Sequence, residues 1–294
     1  MDHGCTVVYG FGNITIGLTY NVPHDQIAAD SVYSDFVVDR VPQLVIDCYF
    51  GNLPELNLTE NDLVFQSSSL WSIYRRNINE NIISLKLINA QSPYLLAVFD
   101  EHFWLGRIYR EIPEYLTFGS GKLPSCFEYP LGPVILMCIT SKGVGLIVHA
   151  CGVDDQGKGL LFVGSSQAGK TTTARLWGNH GRVLNDDRVL LYRDGDEFKI
   201  SGLPWHGEFP FISARPATVD KILFLRKSPK NEVERLNIST ASMLLFQQSS
   251  IPPWDKTAIG ASLEFINDLL TQVPSYSLGT LPDESAVDFV RCID

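Results

Sequence analysis

The stretch LLFVGSSQAGKTTTARLW, residues 160–177, restricts the possible folds of this chain more than any other. An apolar run leads into a polar loop framed by Gly164 and Gly169, and the residues that follow, with Ala174, Arg175 and Leu176, favour a helix. Strand, glycine loop and helix in that order are what the mechanism requires, because the backbone amides and the helix N-terminus together form an anion cradle. The loop itself, Gly164-Ser165-Ser166-Gln167-Ala168-Gly169-Lys170-Thr171, is a complete G-x-x-x-x-G-K-[ST] phosphate loop, continued by Thr172 in the first helical turn. The glycines allow the tight backbone path, and the loop amides cradle phosphate oxygens. Lys170 supplies a cation to the β- and γ-phosphates, and the Thr171 hydroxyl is a ligand for Mg²⁺. ATP with Mg²⁺ is therefore the expected nucleotide and metal.

Downstream, VLNDDRV places Asp186 and Asp187 just past a short apolar strand. Adjacent carboxylates there suit two tasks in phosphoryl transfer: one holds the metal or its water, and the other accepts the proton of an attacking hydroxyl. Sequence does not say which aspartate does which, although Asp186 joins Thr171 as the expected metal pair. His149 closes the apolar run GLIVHA, read as a strand that ends at the histidine. Pairing of that strand with GLLFVG is expected to carry His149 toward the carboxylates, where it would orient one of them. GLPWHGE, residues 202–208, is either a turn anchored by Trp205 or, through His206, Gly207 and Glu208, a wall of the phosphate or acceptor site.

The rest of the chain frames these motifs. From Thr6 to about Arg110 short β-type runs (TVVYGFG, QLVIDCYF, DLVFQSS, ISLKLI, YLLAVFD) alternate with Pro, Asn, Asp and Gly, which predicts a small β-rich N-terminal domain over residues 1–128. Pro and Gly cluster over residues 111–133, and a second domain is expected over 129–294. In that domain VILMCIT reads as a buried helix, and Asp154 to Gly159 as a polar turn before the loop strand. Further strands are expected at RVLN, RVLLYR, FKIS, KILFLRK and SYSLG, with helices near Ser239–Gln248, Ala258–Gln272 and from Asp283.

A net charge of −10 argues against non-specific nucleic-acid binding, and the pair Arg75-Arg76 reads as solvated surface. The N-terminus lacks the basic and apolar regions of a secretory signal, and no apolar window is long enough for a membrane span. The six cysteines (Cys5, Cys48, Cys126, Cys138, Cys151, Cys292) show no metal-type spacing. Reduced, mostly buried thiols in a cytoplasmic protein are the expectation.

Together VHACGV, LLFVGSSQAGKTTTARLW, LNDDRVLLY, GLPWHGE and VPSYSLGTLPDESAVDFV resemble the HPr kinase/phosphorylase-like serine kinases, over roughly residues 129–292. The likeness is nearer to the HPr-kinase-related proteins of peptide-modification genes, including lasso-peptide tail kinases. The resemblance implies an α/β catalytic domain with a phosphoenolpyruvate-carboxykinase-like core. It also implies an aspartate of the Asp186–Asp187 pair as catalytic base, assisted by His149. It further implies a peptide or protein substrate and, as in several relatives, assembly as a homo-oligomer. Two departures stand out: Ser166-Gln167 replaces the family's Ser-Gly pair, and the fingerprint for binding HPr and for phosphorolysis is not evident. The function expected is thus an ATP- and Mg²⁺-dependent kinase acting on a hydroxyl, most simply a serine. A nucleotide-binding partner without turnover and a kinase of free serine or a sugar stay open.

Overall fold

The structure is a computed structural model that describes residues 6–23, 26–28, 31–67, 70–77, 79–112 and 122–293. Cys5 and residues 113–121 of the Pro/Gly-rich segment lie outside the described residues. The fold is mixed α/β, with two large sheets and few helices. The chain divides into two compact units, one built on Ile14–Ile135 and the other on Leu136–Asp294, with residues 11–13 grouped with the second.

The first unit carries β1 (Thr6–Phe11), β2 (Ile14–Tyr20), β3 (Leu44–Phe50), β4 (Leu63–Ser67), β5 (Trp71–Arg76), β6 (Glu80–Leu85), β7 (Leu95–Asp100) and β8 (Leu105–Arg110). They form one eight-stranded sheet in the order β1-β2-β3-β8-β7-β6-β5-β4. β3 lies parallel to both β2 and β8, and the run from β8 to β4 is antiparallel. Strand alternation sets which face is buried: Leu44, Ile46 and Cys48 are inside, whereas Val45 and Tyr49 are exposed. Three of these strands, β2, β5 and β8, are absent from the sequence reading because Gly17, Arg75 and Gly106-Arg107 interrupt their apolar patterns. At Gly106 the glycine is structural, since a Cβ there would lie 2.3 Å from the Phe99 ring of the neighbouring strand.

α1 (Leu131–Thr140) spans the change of unit, and the second unit continues with β9 (Gly145–Asp155), β10 (Lys158–Val163), α2 (Lys170–Trp177), β11 (Arg182–Asn185), β12 (Arg188–Asp194), β13 (Glu197–Gly202), β14 (Ala217–Arg226), β15 (Glu232–Arg235), α3 (Ile238–Gln247), β16 (Ser249–Ser250), α4 (Lys256–Gln272), β17 (Ser275–Gly279) and α5 (Ser285–Arg291). Asn237 and Asp255 cap α3 and α4 by accepting the amides of Thr240 and Ala258. Among the described residues no helix is long and apolar enough to cross a membrane.

β9 organises this unit. Its first half, up to His149, pairs antiparallel with β12, and its second half pairs with β10 on one side and β11 on the other. His149 therefore sits inside an eleven-residue strand rather than at a strand end. The turn before the phosphate-loop strand is also shorter than the sequence reading: Asp155 ends β9, Lys158 begins β10, and only Gln156 and Gly157, both at positive φ, connect them. Two consecutive positive φ angles make the tight hairpin whose twist matches that of the strands. β14 lies parallel to both β10 and β17.

The apolar run of β10 is buried on both sides, as expected of a strand flanked by parallel neighbours and helices. Leu161 and Val163 join a cluster with Val148, Ala241, Leu245, Phe265 and Ile266, against α3 and α4. Leu160 and Phe162 join another with Cys151, Ala174, Trp177, Val287 and Val290, against α2 and α5. Trp177 is 1% exposed and packs on Phe162 with ring centroids 4.9 Å apart, fixing the helix that follows the loop. Arg291 of α5 closes this side with a two-pronged pair to Asp155 (2.7 and 2.8 Å).

Candidate functional site

β10 delivers the chain into the phosphate loop, and Gly169 at φ 109 turns it into α2. Glycine is required at that angle. The first backbone bond of α2 runs from Thr173 N to Gly169 O (2.8 Å), so the amides of Lys170, Thr171 and Thr172 have no partner within the helix. These are the donors that a phosphate group takes up at a helix N-terminus. Gly164 is close-packed, since a Cβ there would stand 2.7 Å from Cβ of Ala168.

Gln167 sits at φ 64 and is exposed. Its backbone takes the left-handed conformation that glycine adopts without strain, while its side chain faces solvent. For a non-glycine residue that conformation costs about 1 kcal/mol or more.

Lys170 is buried and its Nζ donates to Gly164 O and Ser165 O, both at 2.9 Å, so the lysine braces the loop it belongs to. Burial draws its ammonium below the ordinary lysine value, and Asp187 and Asp186 oppose that shift.

The two aspartates lie where the ladder along β9 is irregular. Arg182 and Val183 pair with Asp154 and Val153, the register shifts before Asn185, and Arg188 pairs with His149. A bulge of this kind re-aims side chains. Asp186 is 2% exposed and is held by three donors: Gly207 N on Oδ1 (2.8 Å), and Phe209 N (3.0 Å) and Thr171 Oγ1 (3.0 Å) on Oδ2. Asp187 has one oxygen on His149 Nε2 (3.1 Å) and the other on Arg188 Nη1 (3.1 Å), with its side chain 26% exposed. The His149 hydrogen bond, with Arg188 and Lys170, holds this carboxyl below the usual carboxylate range although burial works against it.

The pairing that brings His149 to Asp187 is β9 with β12, not β9 with the loop strand: Arg188 lies opposite His149, and Ala150 N donates to Asp187 O (3.2 Å). On its other side the His149 amide donates to Gln248 O (2.7 Å).

These groups share one cleft of about 310 Å³. Of the residues singled out from sequence, His149, Ser166, Gln167, Gly169, Lys170, Thr171, Thr172, Asp186 and Asp187 line it, as do Gly207 and Glu208 of GLPWHGE. Gly164, Ser165 and Ala168 belong to the loop but are not among the residues lining the cleft. His206 is exposed, its Nδ1 against Gly207 O, and Trp205 is 9% exposed. Trp205 is thus buried and Gly207 and Glu208 line the cleft, whereas His206, the third residue of the expected wall, is not among the lining residues.

Sequence reading passed over Asn185, which is fully buried and bonded on every side, and the Phe209 amide. Asn185 had a signal: a polar residue closing the apolar strand RVLN needs partners. Beneath the cleft lies Cys151, fully buried, whose thiol is pushed up by burial and by Asp186.

The donor set fits a magnesium nucleotide. Among the described residues no three His, Cys, Asp or Glu side chains are placed to enclose a metal. The Thr171 hydroxyl and Asp186 carboxylate, 3.0 Å apart, are two oxygen donors that would suit Mg²⁺ if phosphate oxygens and waters supplied its other ligands.

Comparison with known proteins gives a family. Residues 131–278, half of the chain, match the family model described as SynChlorMet cassette protein ScmC. No curated protein matches the sequence. Among solved structures, the HPr(Ser) kinase/phosphatase from Coxiella burnetii is similar at 12% identity, over 49% of this chain and 95% of that one, with a TM-score of 0.29. A score that low does not establish a shared fold.

Proposed function

The chain belongs to the SynChlorMet cassette protein ScmC family, and we propose that this member is an ATP- and Mg²⁺-dependent kinase that phosphorylates a hydroxyl, most simply serine in a peptide or protein. The observation that carries this reading is the convergence of Lys170, the Thr171–Asp186 pair and the His149–Asp187 pair on one cleft. A protein that only bound nucleotide would need the first two and not the third.

The two aspartates take different roles because their surroundings differ. Asp186, buried and held by two amides and Thr171, is the metal-side carboxylate. Asp187 opens to the cleft beside a histidine and would accept the proton of the acceptor hydroxyl as the hydroxyl oxygen bonds to the γ-phosphorus and the bond from that phosphorus to the β–γ bridging oxygen breaks, releasing ADP. His149 orients that carboxylate and keeps it ionised. Lys170 exchanges its bonds to Gly164 O and Ser165 O for phosphate oxygens, and the amides of α2 balance charge that builds on the transferred group. Mg²⁺, when bound, neutralises the phosphate oxygens and sets their geometry. Residues 129–294 are the catalytic domain in this reading, and the β-rich residues 1–128 precede it.

The test is to incubate the protein with ATP labelled at the γ-phosphate, Mg²⁺ and separate panels of serine peptides, proteins, free serine and sugars. Label is expected on a peptide or protein. Tight nucleotide binding with no transfer to any panel overturns the proposal, and label on free serine or a sugar alone replaces the acceptor class.

A further inference from the structure

The side chain of Asn185 uses its whole hydrogen-bonding capacity within the candidate site. Its Oδ1 accepts from the amides of Asp187 (2.7 Å) and Arg188 (2.8 Å), and its Nδ2 donates to Leu203 O (2.8 Å) and Trp205 O (3.1 Å). It has no exposed surface. One amide group therefore ties two separate pieces of chain together. The first is the turn that presents Asp187 to His149. The second is the segment that presents the Gly207 and Phe209 amides to Asp186. No other type of side chain of this size offers an acceptor for two amides and a donor for two carbonyls at once.

We infer that Asn185 is the positioning residue of the site, a clip that sets both carboxylates against the phosphate loop by holding their turn to the 203–209 wall. This role rests on the kinase reading. Asn185 itself touches no substrate. Its effect passes through Asp187, whose pairing with His149 depends on the turn, and through Asp186, whose two amide donors depend on the wall. Loss of the clip leaves Lys170 and the loop bonds in place, because those lie within residues 164–173.

The experiment compares wild type, Asn185→Ala and Asn185→Ser for affinity for Mg²⁺-free nucleotide, kcat and acceptor KM. Asn185→Ala is expected to keep that affinity within about threefold while kcat falls about 10- to 100-fold, the scale set by an ångström of misplacement. Asn185→Ser keeps a neutral hydroxyl acceptor for the turn amides and is expected to restore part of kcat at the same nucleotide affinity. If Asn185→Ala does not fold, Asn185→Ser alone decides, by a lowered kcat at unchanged nucleotide affinity. A wild-type kcat in either variant, a fall in kcat no smaller in Asn185→Ser than in Asn185→Ala, or a loss of nucleotide affinity as large as the loss of kcat overturns the inference. Absence of transfer by the wild-type protein to every acceptor overturns the kinase reading and this role with it. Transfer that is indifferent to position 185 overturns this inference alone.

Discussion

The phosphate loop and the carboxylate turn face the same cleft but are held in different ways. The loop is braced by bonds that reach five or six residues along the chain, from Lys170 to Ser165 and Gly164. The turn is braced by bonds that reach about twenty, from Asn185 to Trp205 and from Asp186 to Phe209, and by the pairing of β9 with β12. A locally braced loop keeps its shape as long as its own residues are present. A turn braced from two other segments, residues 203–209 and β9, depends on both of them. Damage to the loop should therefore remove nucleotide binding, whereas damage to the turn should remove transfer and leave Mg²⁺-free nucleotide binding intact.

The largest expected separation of the two comes from Asp187→Asn. Without a proton acceptor, transfer should fall on the order of a thousandfold while nucleotide affinity stays within about threefold. Equal losses in both would mean that the two regions are not independent. A paired glycine experiment comes next. A Cβ at Gly207 would lie 2.9 to 3.1 Å from the carboxylate atoms of Asp186, and one at Gly164 would lie 2.7 Å from Ala168. Gly207→Ala should lower the transfer rate about tenfold or more with Mg²⁺-free nucleotide bound nearly as before. Gly164→Ala should weaken nucleotide binding itself, as titration of a fluorescent ATP analogue would report.

His149→Gln probes the turn through pH. The His149 hydrogen bond holds the Asp187 carboxyl below its ordinary range, so wild-type Asp187 stays ionised further into acid than a free carboxylate. Removing the imidazole raises that value, and the acidic limb of kcat against pH should move to higher pH. An unmoved limb would separate His149 from Asp187. The smallest effect is expected at Gln167→Gly. Relief of the left-handed strain at φ 64 is partly offset by the greater freedom of glycine in the unfolded chain, leaving a gain of about 0.5 to 1 kcal/mol. Thermal unfolding would show this as a rise of a few degrees or less.

The same division explains what could be read from the chain alone. Gly164 to Thr172 stand in one contiguous pattern whose chemistry is local, and the β10 strand before them follows an apolar run that is buried on both faces, whereas the polar β15 and β16 gave no such pattern. Asp186, Asp187 and His149 were recognisable as residue types. Their arrangement was not, since it rests on the register that sets Arg188 opposite His149 and on a bulge that no local pattern announces. Asn185 escaped notice because two of its four bonds, to Leu203 O and Trp205 O, go to partners that only the fold brings near. In the first unit, Gly106 broke the pattern of β8 for a reason lying on the neighbouring strand, the ring of Phe99.

β9 sets where the chain can change length. Successive residues of a strand face opposite sides, so adding or removing one residue between Gly145 and His149 would turn the imidazole to the other face of the sheet. Two neighbours resist any such slip, β12 along one edge and β16 with Gln248 along the other. The Gln156–Gly157 hairpin a few residues further on is free of this constraint, and extra residues there leave both flanking registers as they are. Insertions should therefore be accepted at residues 156–157 and rejected at 145–149, two short stretches of the same β-meander with opposite tolerance.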